Sequence, residues 1–198
     1  MGLLSLLKRL NSEQKNIRVL VLGLENSGKT SLVQAFVNLT QNSKENDVEE
    51  RTSPTIGCEI QKIIFKDFQI SFWDIGGSIS SKSYWNIYYD SSDILMWVID
   101  SSDIDKFEES KNELESILLN DKLIRASLIV VASKQDDSNA APFPDFIRDL
   151  EINVNGKNWT AIVSGNQGTE KGDFSDELEN CLEWIIDDFS TKKKLNVK

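Results

Sequence analysis

The chain has 198 residues, enough for one domain with a real apolar core, and its apolar (39%) and charged (27%) fractions are ordinary for a globular protein. A net charge of −10 argues against a general nucleic-acid surface, and the absence of histidine excludes imidazole acid–base catalysis, His-ligated zinc and a His-containing triad. Two cysteines, Cys58 and Cys181, form no disulfide framework and point to a reducing, cytoplasmic setting.

Residues 2–10, Gly-Leu-Leu-Ser-Leu-Leu-Lys-Arg-Leu, read as a short amphipathic helix. Leu3, Leu4, Leu7 and Leu10 share one face, with Lys8 and Arg9 towards the other. Such a helix is too short to be stable alone. It needs a surface, which is the domain itself, a partner groove or a membrane interface. Leu6 stands where N-myristoylation wants Ser or Thr, so acylation of Gly2 is not expected. The segment is too short and lacks the small-residue cleavage site of a secretory signal. No apolar run in the chain has the length of a membrane span.

Residues 12–16 read as a polar linker and Arg18–Leu22 as the first strand. Ser31–Leu39 reads as the first helix, with Leu32, Val33, Phe36 and Leu39 inward. Residues 41–53 are polar and acidic, with Glu45, Asp47, Glu49 and Glu50, and read as a loop. Strands follow around Glu59–Phe65 and Phe68–Trp73; the two-residue join at Lys66-Asp67 demands an antiparallel pair. Ile94–Asp100, Ser127–Ala132 and Trp159–Val163 make three more strands. Phe107, Leu114, Ile117 and Leu118 mark one intervening helix. Leu178, Cys181, Leu182, Ile185, Ile186 and Phe189 mark a last one at 3.6-residue spacing. The pattern predicts an α/β domain: a six-stranded, mostly parallel sheet with one antiparallel edge strand and helices on both faces. We divide the chain into the N-terminal helix (1–11), the domain (12–190) and a basic tail (191–198) expected to fray and lacking a prenylation box.

Between the first strand and first helix stands Gly23-Leu24-Glu25-Asn26-Ser27-Gly28-Lys29-Thr30. In this Gly-x-x-x-x-Gly-Lys-Thr pattern the glycines turn backbone N–H groups inward around phosphate oxygens, and the helix N-terminus adds partial positive charge. Lys29 would reach the β- and γ-phosphates and the Thr30 hydroxyl would hold Mg²⁺, so residues 23–31, Ser31 included, are candidate nucleotide contacts. Four more pieces follow in order. Thr55, in Pro54-Thr55-Ile56-Gly57, offers a hydroxyl to Mg²⁺ and the γ-phosphate. Asp74, in Trp73-Asp74-Ile75-Gly76-Gly77, offers a carboxylate to Mg²⁺ through water, and the Gly77 N–H can approach the γ-phosphate. In Ser133-Lys134-Gln135-Asp136 the Asp136 carboxylate can accept N1–H and N2–H of guanine, while the Lys134 stem covers the base. Ser164 and Gly165 offer backbone N–H groups to guanine O6.

With these five pieces the chain resembles small GTPases of the Arf/Arf-like family from Met1 to about Phe189. Tyr84-Trp85, Tyr88, Asp93-Ile94-Leu95, Val98-Ile99-Asp100-Ser101 and Ala140-Ala141-Pro142 add to the likeness. The start Met-Gly-Leu-Leu-Ser-Leu-Leu resembles the Arf-like two/three branch, whose members release lipidated cargo from carrier proteins, notably at cilia. The resemblance implies a monomeric P-loop GTPase fold with GTP/GDP and Mg²⁺ as ligands. It makes the region of Thr55 switch I and Asp74 to about Tyr88 switch II, with a hairpin between them that slides on exchange and displaces the N-terminal helix. It implies an exchange factor, a GAP, and effectors that read Trp73 and Tyr88, with Cys58 in place of a third aromatic. It also implies membrane or carrier-protein contact through residues 2–10.

The chain departs from the family at three places. Ser78 stands where the family has the Gln that orients the attacking water, so of the catalytic set Thr55, Gly77 and Ser78 the last is altered, and weak hydrolysis is expected. Ser133 replaces an Asn that ties the base loop to the P-loop, so weaker guanine retention is expected. Switch II, Ser78-Ile79-Ser80-Ser81-Lys82-Ser83, keeps one charge where relatives carry several. Two readings stay open: a switch that cycles with slow or GAP-dependent hydrolysis, and a GTP-binding scaffold that does not hydrolyse. The antiparallel hairpin and Lys134-Gln135-Asp136 argue against a P-loop kinase.

Overall fold

Strand β1 (Lys15–Leu22) ends in four residues, Val19 to Leu22, with no exposed surface. A strand whose side chains are covered on both faces must lie in the middle of a two-sided sheet. The computed structural model, which describes residues 15–40, 57–154, 156–165 and 173–195, places it there. The sheet order is β2 (Cys58–Phe65), β3 (Phe68–Ile75), β1, β4 (Ile94–Asp100), β5 (Ser127–Ser133), β6 (Trp159–Val163). All neighbours run parallel except the β2–β3 hairpin, as expected from its two-residue join. Residues 2–10, the acidic stretch 41–53 and Thr55 lie outside the described residues.

Helices α1 (Lys29–Thr40) and α5 (Ser175–Leu195) cover one face. Their Leu32, Phe36, Leu182 and Ile185 meet Val19, Val21, Phe72 and Val98 in one apolar cluster, and Phe36 stacks on Phe72 at 4.9 Å. Helices α3 (Ile104–Leu118) and α4 (Phe143–Leu150) cover the other, where Leu114, Leu118, Phe146 and Leu150 meet Leu20, Leu22, Trp97 and Ile99. A four-residue helix, α2 (Ile79–Lys82), follows β3. The sheet's strands alternate between these two clusters, so each strand feeds both layers.

The structure departs most from the sequence reading in two boundaries and one unread helix. Strand β1 begins at Lys15, inside the stretch read as linker, because Lys15 and Asn16 pair with Phe68 and Gln69. Helix α4 carries only two buried apolar residues, Phe146 and Leu150, and so gave too short a stripe to stand out in sequence. Helix α5 continues through Lys192–Lys194 to Leu195, past the edge drawn at 190. The reason is Lys192: its ammonium pairs with the buried Asp188 one turn back at 2.9 Å and donates to the Asp93 carbonyl at 3.2 Å. Asp188 in turn accepts from Ser127 and Asn158, which fastens the end of α5 to the base of the sheet.

Candidate nucleotide site

The loops leaving the C-terminal ends of β1, β3, β4, β5 and β6 gather at one rim of the sheet, the usual place for a ligand in a doubly wound fold. The β1–α1 loop turns through Asn26 in the left-handed region (φ 62°), and α1 starts at Lys29. The Lys29 ammonium folds back over this loop, donating to the carbonyls of Leu24 (2.6 Å) and Gly23 (3.1 Å) and to Ser27 Oγ (3.4 Å). Burial pushes its pKa down to about 8, against the pull of Asp74 and Glu25.

Next along α1, the Thr30 hydroxyl donates to Asp74 Oδ2 at 2.5 Å. Asp74 comes from the end of β3 and is 1% exposed. A hydroxyl and a carboxylate brought together beside a phosphate-type loop are hard oxygen donors of the kind that Mg²⁺ takes, so these two expected metal residues fit the ion. Two residues past β3, Gly77 lies directly on the β1–α1 loop. A Cβ there would sit 2.5 Å from the Gly23 oxygen and 2.6 Å from the Leu24 oxygen, so only glycine admits the approach.

The loop after β5 is tied down from three sides. Ser133 Oγ, buried, lies 2.6 Å from the Ser27 carbonyl and 3.0 Å from that of Ile99. The Ser101 hydroxyl donates to the Ser133 carbonyl, and the Gln135 amide donates to Ser101 Oγ (2.7 Å) and to the Ala141 carbonyl (3.0 Å). The Gln135 N–H meets the Ser164 carbonyl at 3.0 Å, which brings the loop after β6 alongside. A Cβ at Gly165 would sit 2.6 Å from Asp136 Oδ1, so that carboxylate lies against the Gly165 backbone. Lys134, left-handed at φ 58°, bridges to Asp100 at 2.6 Å. Burial alone would raise the Asp100 pKa; the Lys134 ammonium and two hydrogen bonds from Ser102 outweigh it and hold the carboxyl below its ordinary value. The sequence reading passed over Asp100, Ser101 and Gln135 as site-building residues. Their signal was present: three polar residues at the ends of otherwise apolar strands or beside Asp136.

Ser78 is the N-cap of α2. Its Oγ accepts from the Ser81 N–H at 3.3 Å and is hydrogen-bonded to the hydroxyls of Ser81 (2.8 Å) and Ser80 (3.0 Å). The sequence reading missed this capping role, although Ser opening a run of serines is a common N-terminal signal. Lys82 at the end of α2 reaches Glu109 (3.1 Å) and Glu113 (3.0 Å) on α3. Trp85 is buried, donating to the Gly76 carbonyl at 2.9 Å and packing edge-on to Trp97. Trp73, Tyr88 and Cys58 are half-buried and adjoin one cluster, with the Trp73 and Tyr88 rings 6.3 Å apart. The Arg18 guanidinium lies 3.8 Å above the Trp73 ring and donates to the Tyr88 carbonyl, so a cation covers part of that aromatic surface. Ile60, opposite Trp73 on the edge strand, and Tyr84 and Ile87 nearby are exposed. Among the described residues no helix is long and apolar enough to cross a membrane.

Comparison with known proteins gives concordant matches. The model of the ADP-ribosylation factor family matches residues 3–189. ADP-ribosylation factor-like protein 2 of Dictyostelium discoideum is 36% identical over 97% of each chain, and that of Arabidopsis thaliana is 34% identical over 97% of each. Among solved structures, the small GTPase Arl6 of Trypanosoma brucei with the nucleotide analogue GppNp superposes with a TM-score of 0.70 at 20% identity, covering 89% of this chain and 99% of that one.

Proposed function

The chain belongs to the ADP-ribosylation factor family of GTP-binding switches, and from that premise we propose that it is an Arf-like switch coupling GTP/GDP state to effector or membrane binding, with slow or GAP-dependent hydrolysis. The observation that carries this reading is the convergence of Lys29, the Thr30–Asp74 pair and Gly77 on one loop at the strand ends. In this reading residues 23–31 wrap the phosphates, with the Lys29 ammonium exchanging its carbonyl partners for phosphate oxygens. Thr30 and Thr55, with Asp74 through water, would hold Mg²⁺, which would supply charge neutralisation to the phosphates. The Gly77 N–H senses the γ-phosphate, and its backbone is already in contact with the loop that would hold it. Asp136 selects guanine, Lys134 covers the base face, and Ser133, Ser164 and Gly165 complete that pocket.

Slow hydrolysis follows from Ser78. Its oxygen is engaged with Ser81 and Ser80, and the serine side chain is two carbons shorter than the glutamine it replaces. That same observation favours the second reading, a hydrolysis-deficient GTP-binding scaffold. Effectors are expected on Cys58, Trp73 and Tyr88, with an exchange factor and a GAP acting at the switches. Residues 2–10 would make membrane or carrier-protein contact, and the protein would act as a monomer.

The test is the nucleotide released by denaturing freshly purified protein, separated by chromatography. GDP supports the hydrolysing switch, GTP supports the scaffold, and an empty site on protein that also fails to take up either nucleotide rejects both.

A further inference from the structure

Three consecutive polar residues follow the apolar run of β4: Asp100 and Ser101 touch the loop expected to hold the base, and Ser102 holds Asp100. Asp100 receives the Lys134 ammonium on Oδ2 (2.6 Å) and the N–H and hydroxyl of Ser102 on Oδ1 (3.0 and 2.7 Å). Both carboxylate oxygens are therefore occupied, and the carboxylate is fixed in orientation before it meets the lysine. Ser101 holds Ser133 through two donors, its N–H (3.1 Å) and its hydroxyl, and accepts from Gln135. Its carbonyl also accepts from the Ala141 N–H at 2.8 Å, which closes the far side of the loop.

Lys134 itself carries a left-handed backbone (φ 58°), an uncommon conformation for a residue with a long side chain. Two further contacts hold it: the Asp137 N–H on its own carbonyl (2.9 Å) and the Gln135 N–H on Ser164 (3.0 Å). The backbone sets where the lysine stem starts and Asp100 sets where it ends. A stem pinned at both ends is a flat apolar wall of fixed position, the surface that a purine face needs. An untethered lysine would have to be ordered each time a nucleotide binds.

We propose that Asp100, oriented by Ser102, is a positioning residue that holds the Lys134 stem against the guanine base and so sets how long the nucleotide stays bound. The inference rests on the proposed function. It gains weight from Ser133, whose single hydroxyl proton is shared between two carbonyl acceptors and makes a thin tie between base loop and P-loop. With that tie thin, the Lys134–Asp100 bridge carries more of the loop's order.

The experiment is the dissociation rate of a fluorescent GDP analogue from the full chain in excess Mg²⁺, with unlabelled GDP as chase. Asp100→Asn keeps the shape and an oxygen for Ser102 but removes the charge. It is expected to speed release about fivefold, the lower range for a charge-assisted bond whose lysine is partly exposed. Ser102→Ala, which removes the hydroxyl but keeps the N–H on Asp100 Oδ1 and so loosens the carboxylate, is expected to act in the same direction by a smaller factor, and it reports even if Asp100→Asn does not fold. The reading specific to positioning is the cycle with Lys134→Met: the double variant should release no faster than Lys134→Met alone. Rates that multiply in the double variant, or an unchanged rate in Asp100→Asn with wild-type nucleotide retention, overturn the positioning role and leave the proposed function standing. A wild type that binds no guanine nucleotide overturns both.

Discussion

The hydroxyl of Ser133 sits 2.6 Å from the carbonyl oxygen of Ser27, so the loop after β5 is joined to the loop after β1 by one short hydrogen bond. Both residues are buried, and the same hydroxyl lies 3.0 Å from the Ile99 carbonyl. Ser133 thus keeps part of the tie that the family's asparagine makes, without a second donor. Ser133→Ala would take this donor from the buried Ser27 carbonyl at a cost of about 1–3 kcal/mol. It should raise the GDP dissociation rate by about tenfold or more, whereas Ser133→Asn should lower it. Stopped-flow release of a fluorescent nucleotide measures both; two unchanged rates would show that this contact does not govern retention.

Ser78 caps α2 and its oxygen is occupied. Restoring the longer amide, Ser78→Gln, is expected to speed single-turnover GTP hydrolysis by about 10²-fold. The cap is expected to cost about 1 kcal/mol when lost, so the melting temperature should fall slightly while the chemistry accelerates. Equal hydrolysis rates in the two proteins would mean that another group already orients the water.

Lys29 supplies a pH dependence with a definite sign. Its folded-state pKa is depressed to about 8 by burial, against an unfolded value near 10.5. A depressed lysine means that folding disfavours the charged form. That cost is fully present below pH 8 and is relieved as pH rises towards 10.5, so this group's contribution to stability becomes more favourable across that window. Nucleotide binding runs the other way. Phosphate oxygens favour the ammonium, so above pH 8 binding must take up a proton and affinity should fall, by up to about tenfold per pH unit. Calorimetry at pH 8.5 in two buffers of different ionisation enthalpy should show net proton uptake; none would mean that Lys29 keeps its proton in the free protein.

Gly165→Ala tests base selection without touching a polar group. The added methyl would meet Asp136 Oδ1 at 2.6 Å and a Phe174 ring carbon at 2.7 Å, so the carboxylate must move. The ratio of GDP to ADP affinity should drop by about tenfold or more, the scale of one lost charged hydrogen bond. A ratio unchanged in a folded variant would remove Asp136 from the base-selecting role.

The sheet was legible because its central strands are unbroken apolar runs, Ile94–Ile99 and Leu128–Ala132, and its hairpin has a two-residue join. The phosphate loop was legible because its glycines and lysine are fixed in spacing by what they must surround. The supports were not. Ser101 looks like any loop serine until its hydroxyl is seen on the Ser133 carbonyl, 32 residues away. Lys192 read as part of a charged tail because its partners, Asp188 and the Asp93 carbonyl, are set by the packing of α5 rather than by local pattern. Ser78 was compared with a glutamine in the same place, which hid the simpler local fact that it starts a helix.

The hairpin's register carries a further consequence. Along β1, Ile17 faces Ile70 and Val19 faces Phe72, all four buried on the same side of the sheet. A one-residue slip of the hairpin would turn Phe72 away from Phe36 and present Ser71 and Trp73 to the α1–α5 layer instead. A two-residue slip preserves which side chains face inward and moves Ile70 opposite Val19. The alternation therefore permits motion only in steps of two residues, about 7 Å each. Were the hairpin to slide, as the family resemblance implies, Phe68, Ile70 and Phe72 would act as the teeth of a ratchet and hold it at discrete stops along β1.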